Sequence, residues 1–154
     1  MARFVKAADA VAAAVEIERR GYAFYQKVRE QAGNREDREF FDFMAKEEQR
    51  HEGIFAAMLK RMGGLDLPAG STDEEYLMYV QALLDSHTLF MPEQAALAAT
   101  KPLYQAMQFE KDTLVFFIAL EDMVPEAERT FVRECADEEK RHLQMLAKRM
   151  AGKA

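Results

Sequence analysis

Apolar side chains return every three to four residues along four long stretches of the chain, the period of an α-helix with one buried face. The first stretch runs from about Phe4 to Ala32, with Val11, Val15, Tyr22, Tyr25 and Val28 on its stripe. Gly33 stops it, and Asn34 is placed to cap the next helix, whose first turn is acidic at Glu36 and Asp37. That second helix is expected to reach about Met62, with Phe40, Met44, Phe55 and Met58 facing inward, before Gly63 and Gly64 end it. A third covers about Thr100 to Met123, with Met107, Leu114 and Phe117 on its stripe. Pro125, at a helix-starting position, opens a fourth that extends to about Met150, with Phe131, Cys135 and Leu146 inward.

Residues 64 to 98 break this pattern. Pro68 and Gly70 mark a loop, Ser71 to Glu75 resembles a helix start, Tyr76 to Ser86 reads as one short helix, and Pro92 introduces a further turn. Two antiparallel helices need only a few residues between them. This connector is long enough to travel the length of a bundle and to start the third long helix parallel to the second, which relates the two hairpins by a pseudo-twofold axis. The predicted fold is all-α, a four-helix bundle with a long crossover between helices 2 and 3, built from two repeated helical hairpins.

Charged residues interrupt the apolar stripes at matching places. Glu18 lies inside the first stripe and Glu110 inside the third, and the segments around them align: Ala14 to Tyr25 with Ala106 to Phe117. The second and fourth helices carry Glu48-Gln49-Arg50-His51 and Glu139-Lys140-Arg141-His142. In a helix a carboxylate three residues before an imidazole leaves from the same face, about one turn away. Glu18 and Glu48 are equidistant from the Gly33 turn, and Glu110 and Glu139 from the Val124-Pro125 break. Residues equidistant from a hairpin turn lie level, so the pattern brings four carboxylates and two imidazoles to one depth of the bundle. His87, in the connector, stands outside both motifs.

Composition narrows the function classes. A chain of 154 residues, 49% hydrophobic and 31% charged, fits a single domain with one substantial core, here 1–154. A net charge of -6 gives no reason to expect nucleic acid or an anionic membrane as partner. The N-terminus is basic and then alanine-rich, yet Asp9 and Glu16 interrupt it, so it reads as the start of the first helix rather than a signal peptide, and the chain contains no run of eighteen apolar residues that would span a membrane. One cysteine, Cys135, excludes an intrachain disulfide framework and a cysteine-rich metal module, and is compatible with a cytoplasmic location.

Carboxylates buried in a helical core cost several kcal/mol each unless something neutralises them. Two divalent cations match four glutamates in charge. A Glu from each of two helices with a Glu-x-x-His from each of the other two is the arrangement of carboxylate-bridged di-iron sites in four-helix bundles. In that arrangement the glutamates of the His motifs bridge the metals, Glu18 and Glu110 bind terminally, and His51 and His142 give one nitrogen each. Glu47 and Glu138, four residues before each His, share the same faces, and spacing alone does not separate them from Glu48 and Glu139. Manganese or zinc would also accept these ligands.

Over nearly its whole length the chain resembles rubrerythrin-like proteins of the ferritin-like di-iron superfamily. The likeness is carried by Glu18 with Gly21 and Phe24-Tyr25, by Glu47 to His51, by Glu110-Lys111-Asp112 and by Glu138 to His142. It implies a centre of two iron ions held by Glu18, Glu48, His51, Glu110, Glu139 and His142, reacting with hydrogen peroxide or dioxygen or oxidising Fe(II), in oxidative-stress defence or iron handling. Tyr25 matches a tyrosine near the iron centre of such proteins and is expected to hydrogen-bond a ligating carboxylate. A homodimer is also implied. Two features depart from rubrerythrins proper: Thr113 stands where they have an additional glutamate, and one cysteine cannot form their four-cysteine rubredoxin domain. The electron donor is therefore expected to be a separate protein, rubredoxin-like or a flavoprotein. The alternatives are a ferritin-like iron store without turnover and a metal-free structural or partner-binding bundle.

Overall fold

The structure, a computed structural model, describes residue 4 and residues 6–63, 74–91 and 100–152. The loop expected over residues 64–73 and the turn at Pro92 lie outside the described residues. Those residues form five α-helices: α1 (Ala7–Gln31), α2 (Arg35–Met62), α3 (Glu74–Asp85), α4 (Pro102–Glu121) and α5 (Glu126–Met150), with a 3-10 turn at Thr88–Phe90. Among them no helix is long and apolar enough to cross a membrane.

Local chemistry sets the helix ends. The Asn34 side chain accepts from the Asp37 N–H at 2.8 Å, and Gly63 closes α2 in the left-handed region at φ 54°, where a side chain would be strained. Pro102 occupies the first turn of α4, where its missing N–H removes no helical bond. Pro125 is the residue before α5 rather than its first, and α1 begins at Ala7, after the extended Lys6.

α1 packs along α2, and α4 along α5; the hairpins meet through α1 against α4 and α2 against α5. Ion pairs fix the direction of the last contact. Arg61, at the end of α2, holds Glu128, at the start of α5, at 2.7 Å, while Arg149, late in α5, holds Asp37, early in α2. α2 and α5 are therefore antiparallel, and α4 runs parallel to α2. α3 carries the crossover along α4: the Tyr76 hydroxyl donates to the Ala119 carbonyl at 2.5 Å, and the Thr88 N–H donates to Asp112 at 2.9 Å.

The core comprises two apolar clusters at different depths. One gathers Val11, Ala14 and Ile17 with Phe55, Met58, Phe116, Phe117, Leu120, Val132 and Cys135; Val80 and Leu84 of α3 join it. The other gathers Tyr25, Val28, Phe41, Met44, Ala106, Phe109 and Leu146. On every long helix the residues between the two clusters are polar: Glu18, then Glu48 and His51, then Glu110 and Thr113, then Glu139 and His142. The inward register differs from the sequence expectation at several places. Phe131 is 42% exposed under the Arg61 guanidinium, whereas Val132 is buried. Phe41 enters the core and Phe40 only flanks it, and Met107 and Leu114 are half-buried. The buried stripe of α5, read back from His142 as Glu139, Cys135, Val132 and Glu128, steps by three and four residues past Phe131.

Candidate metal centre

Glu18, Glu48, His51, Glu110, Glu139 and His142 are each at most 2% exposed and converge in the polar layer. Their atoms form two overlapping groups, each with ligand atoms within 4.8 Å of one another: Glu18, Glu48, His51 and Glu139 in one, Glu48, Glu110, Glu139 and His142 in the other. Glu48 and Glu139 belong to both groups, and each group has its own Glu and its own His. His51 Nδ1 lies 2.8 Å from Glu139 and 3.7 Å from Glu18; His142 Nδ1 lies 3.2 Å from Glu139, 3.7 Å from Glu110 and 3.9 Å from Glu48. The rings face each other at 5.8 Å between centroids.

Protons carry the neutralisation when no cation is bound. Burial pushes the carboxyls of Glu18, Glu48 and Glu110 upward, and neighbouring carboxylates add to the rise: Glu139 for Glu18, Glu18 and then Glu110 for Glu48, Glu139 for Glu110. Burial also acts on Glu139, but hydrogen bonds with Glu110, His142 and His51 outweigh it and hold this carboxyl below the ordinary range. Burial pulls both imidazoles down and is overcome: Glu139 and Glu18 raise His51 to about 10, and Glu110 and Glu139 raise His142 to about 11. Proton sharing leaves gaps. Among the described residues eight buried side-chain nitrogen and oxygen atoms lack a hydrogen bond of good geometry, and six belong to this layer: both oxygens of Glu18, one each of Glu48, Glu110 and Glu139, and His51 Nδ1, the last two lying 2.8 Å apart as an ion pair. Groups of this kind are paired in folded proteins, and electron-pair donors of carboxylate and imidazole type converging on two points fit two divalent cations.

A ring of further residues surrounds the cluster. The Tyr25 hydroxyl, fully buried, donates to Glu110 at 2.6 Å, and burial keeps the phenol protonated far above its usual range. Gly21 lets α1 approach Glu48 so closely that an added Cβ would overlap the Glu48 carboxylate. Glu47 and Glu138 lie on the opposite edge of the imidazoles, half-buried, and form with His51 a third group of atoms within 4.8 Å of one another: Glu138 is 3.4 Å from His51 Nε2 and Glu47 3.7 Å from His142 Nε2. Glu48 and Glu139 differ from them in being fully buried and in joining both of the buried groups. Arg50, whose side chain is 45% exposed, bonds Glu47 at 2.8 Å and also bonds Glu138. Nothing in the sequence pattern points to this crossed contact, because it joins residues of two different motifs.

The third histidine is buried as well. The Leu89 N–H donates to His87 Nδ1 at 3.1 Å, so Nε2 carries the proton and donates to Thr113 at 2.9 Å. Burial lowers this imidazole to about 4, so it is neutral, and it closes the crossover onto α4 instead of joining the ligand groups. Cys135 is a buried thiol pushed up by burial.

A four-helix bundle with a level, pseudo-symmetric Glu and Glu-x-x-His cluster defines the class: a ferritin-like bundle with a buried site able to hold metal. The Rubrerythrin family model matches residues 9–150, and the chain belongs to that family. No curated protein and no solved structure gives a significant match.

Proposed function

We propose that this protein is a non-haem di-iron oxidoreductase that reduces hydrogen peroxide or dioxygen, or oxidises Fe(II), in the cytoplasm. The observation that carries the reading is the convergence of four buried carboxylates and two buried imidazoles on two overlapping groups, whose donor atoms two cations would satisfy together. Glu18 and His51 would hold one ion, Glu110 and His142 the other, with Glu48 and Glu139 common to both. Two ferrous ions held there would supply the two electrons that, with two protons, convert peroxide to two waters. Tyr25 fixes one oxygen of Glu110 and, staying protonated, leaves the other free to face the site. The apolar clusters above and below limit the access of water along the bundle axis. A separate donor, rubredoxin-like or a flavoprotein, would return the electrons, and a homodimer is the proposed assembly.

Anaerobic loading with Fe(II), followed by rapid mixing with peroxide or with oxygenated buffer, tests this directly. Ferric absorption should rise at once with one of the two oxidants and be largely lost in Glu48→Ala and Glu139→Ala. Catalytic peroxide consumption with an added reductant supports the enzyme, accumulation of many irons per chain a storage role. Unaltered reactivity in both variants would contradict the site.

A further inference from the structure

We propose that Arg50 is a positioning residue for both metal positions, acting through Glu47 and Glu138 on the two ligand histidines. The inference rests on the di-metal reading of the site. Its geometry is crossed: Glu47, from the first motif, faces His142 of the second, and Glu138, from the second, faces His51 of the first. One guanidinium bonds both carboxylates. A carboxylate beside Nε2, 3.4 Å away at His51 and 3.7 Å away at His142, favours the proton on that nitrogen and a Nδ1 lone pair directed inward, where Nδ1 of both rings faces the glutamates of the convergent groups. The fork of Arg50 therefore sets two ring orientations with one side chain.

This contact does not follow from repetition of the motif. Arg141 occupies the position matching Arg50, yet it is exposed and has no ion pair among the described residues, while Lys140 pairs with Asp137 in its own helix. Nor is a half-exposed ion pair a strong source of fold stability. What separates Arg50 from ordinary surface arginines is that both its acceptors are backed by buried imidazoles.

The test uses the full chain loaded with Zn(II), which is diamagnetic, in wild type, Arg50→Gln, Arg50→Lys and Arg141→Gln. Zinc titration gives stoichiometry and affinity, and proton-nitrogen NMR of the imidazoles reads the Nε2–H of His51 and His142. Arg50→Gln should shift both Nε2–H signals, speed their exchange and weaken both sites about tenfold, the usual scale for loss of such outer partners. Arg50→Lys, with the charge but without the fork, should recover part of this, and Arg141→Gln should match wild type. Unmoved imidazole signals in Arg50→Gln, or equal shifts in Arg141→Gln, would overturn the role of Arg50 while leaving a two-zinc wild type intact. A wild type that takes up no zinc would overturn the di-metal reading and this inference with it.

Discussion

At the scale of single residues, the layer is built from groups that are costly alone and acceptable together. Glu18, Glu48, Glu110 and Glu139 could be picked out in the sequence because a charge in the middle of an apolar stripe violates the pattern around it. Gly21 and Arg50 could not be given their reasons in the same way, since each acts on a residue of another helix. Gly21→Ala should keep the fold, because the Glu48 side chain can swing away from the new methyl when no metal holds it, but should displace that carboxylate from the site. The expected result is a Tm without metal near that of wild type and loss of most of the Tm rise on adding Zn(II), read by thermal unfolding with and without the ion. Tyr25→Phe removes the one hydrogen bond that a described residue makes to Glu110 Oε1 and should destabilise the metal-free protein by about 1–3 kcal/mol in denaturant unfolding. No loss of stability would mean that the phenol is not needed to satisfy this carboxyl.

At the scale of elements, helical periodicity located all four long helices and the short one in the crossover, with ends shifted by a few residues. Helix faces were read less well. An arc of one residue on a helix is 100°, so adjacent Phe131 and Val132, or Phe40 and Phe41, compete for the same stripe, and only packing against the neighbouring helix decides between them. Phe131→Ala should therefore cost under about 1 kcal/mol, while Phe117→Ala, which empties a fully buried position, should cost about 3–5 kcal/mol. Equal losses would contradict the register of α5. The role of His87 was also illegible, because its partner Thr113 is brought to it by the crossover and not by any local motif. Thr113→Val keeps the volume and strands the buried His87 N–H, so a loss of about 1–3 kcal/mol is expected.

At the scale of the whole molecule, the buried layer links stability to pH and, on the proposed reading, to metal. Glu18, Glu48 and Glu110 titrate higher in the folded chain than at their ordinary 4.5, so the unfolded chain gives up these protons first and the fold loses stability as pH rises above that value. His51 and His142 act in the same direction. Their stabilising protonation is complete below 6.5 and is lost as pH climbs through about 10 and 11. Glu139, held low, has the opposite sign: its contribution is complete above 4.5 and is lost as pH falls below that value. Metal-free protein should thus melt at progressively lower temperature from about pH 5 to pH 10, and metal should flatten this dependence, because binding takes the place of the protons and releases them. A metal-free Tm that rises across the same interval would contradict the assignment of these protons to the buried layer.

The most direct measurement is an anaerobic calorimetric titration of the metal-free protein with Fe(II), repeated in two buffers of different ionisation enthalpy so that proton release is counted. Binding of two Fe(II) per chain, accompanied by proton release and abolished as a two-ion process in Glu48→Ala and Glu139→Ala, is the predicted result. A chain that binds no Fe(II), or binds it equally well without those two carboxylates, would contradict the claim that cations hold the buried acids together.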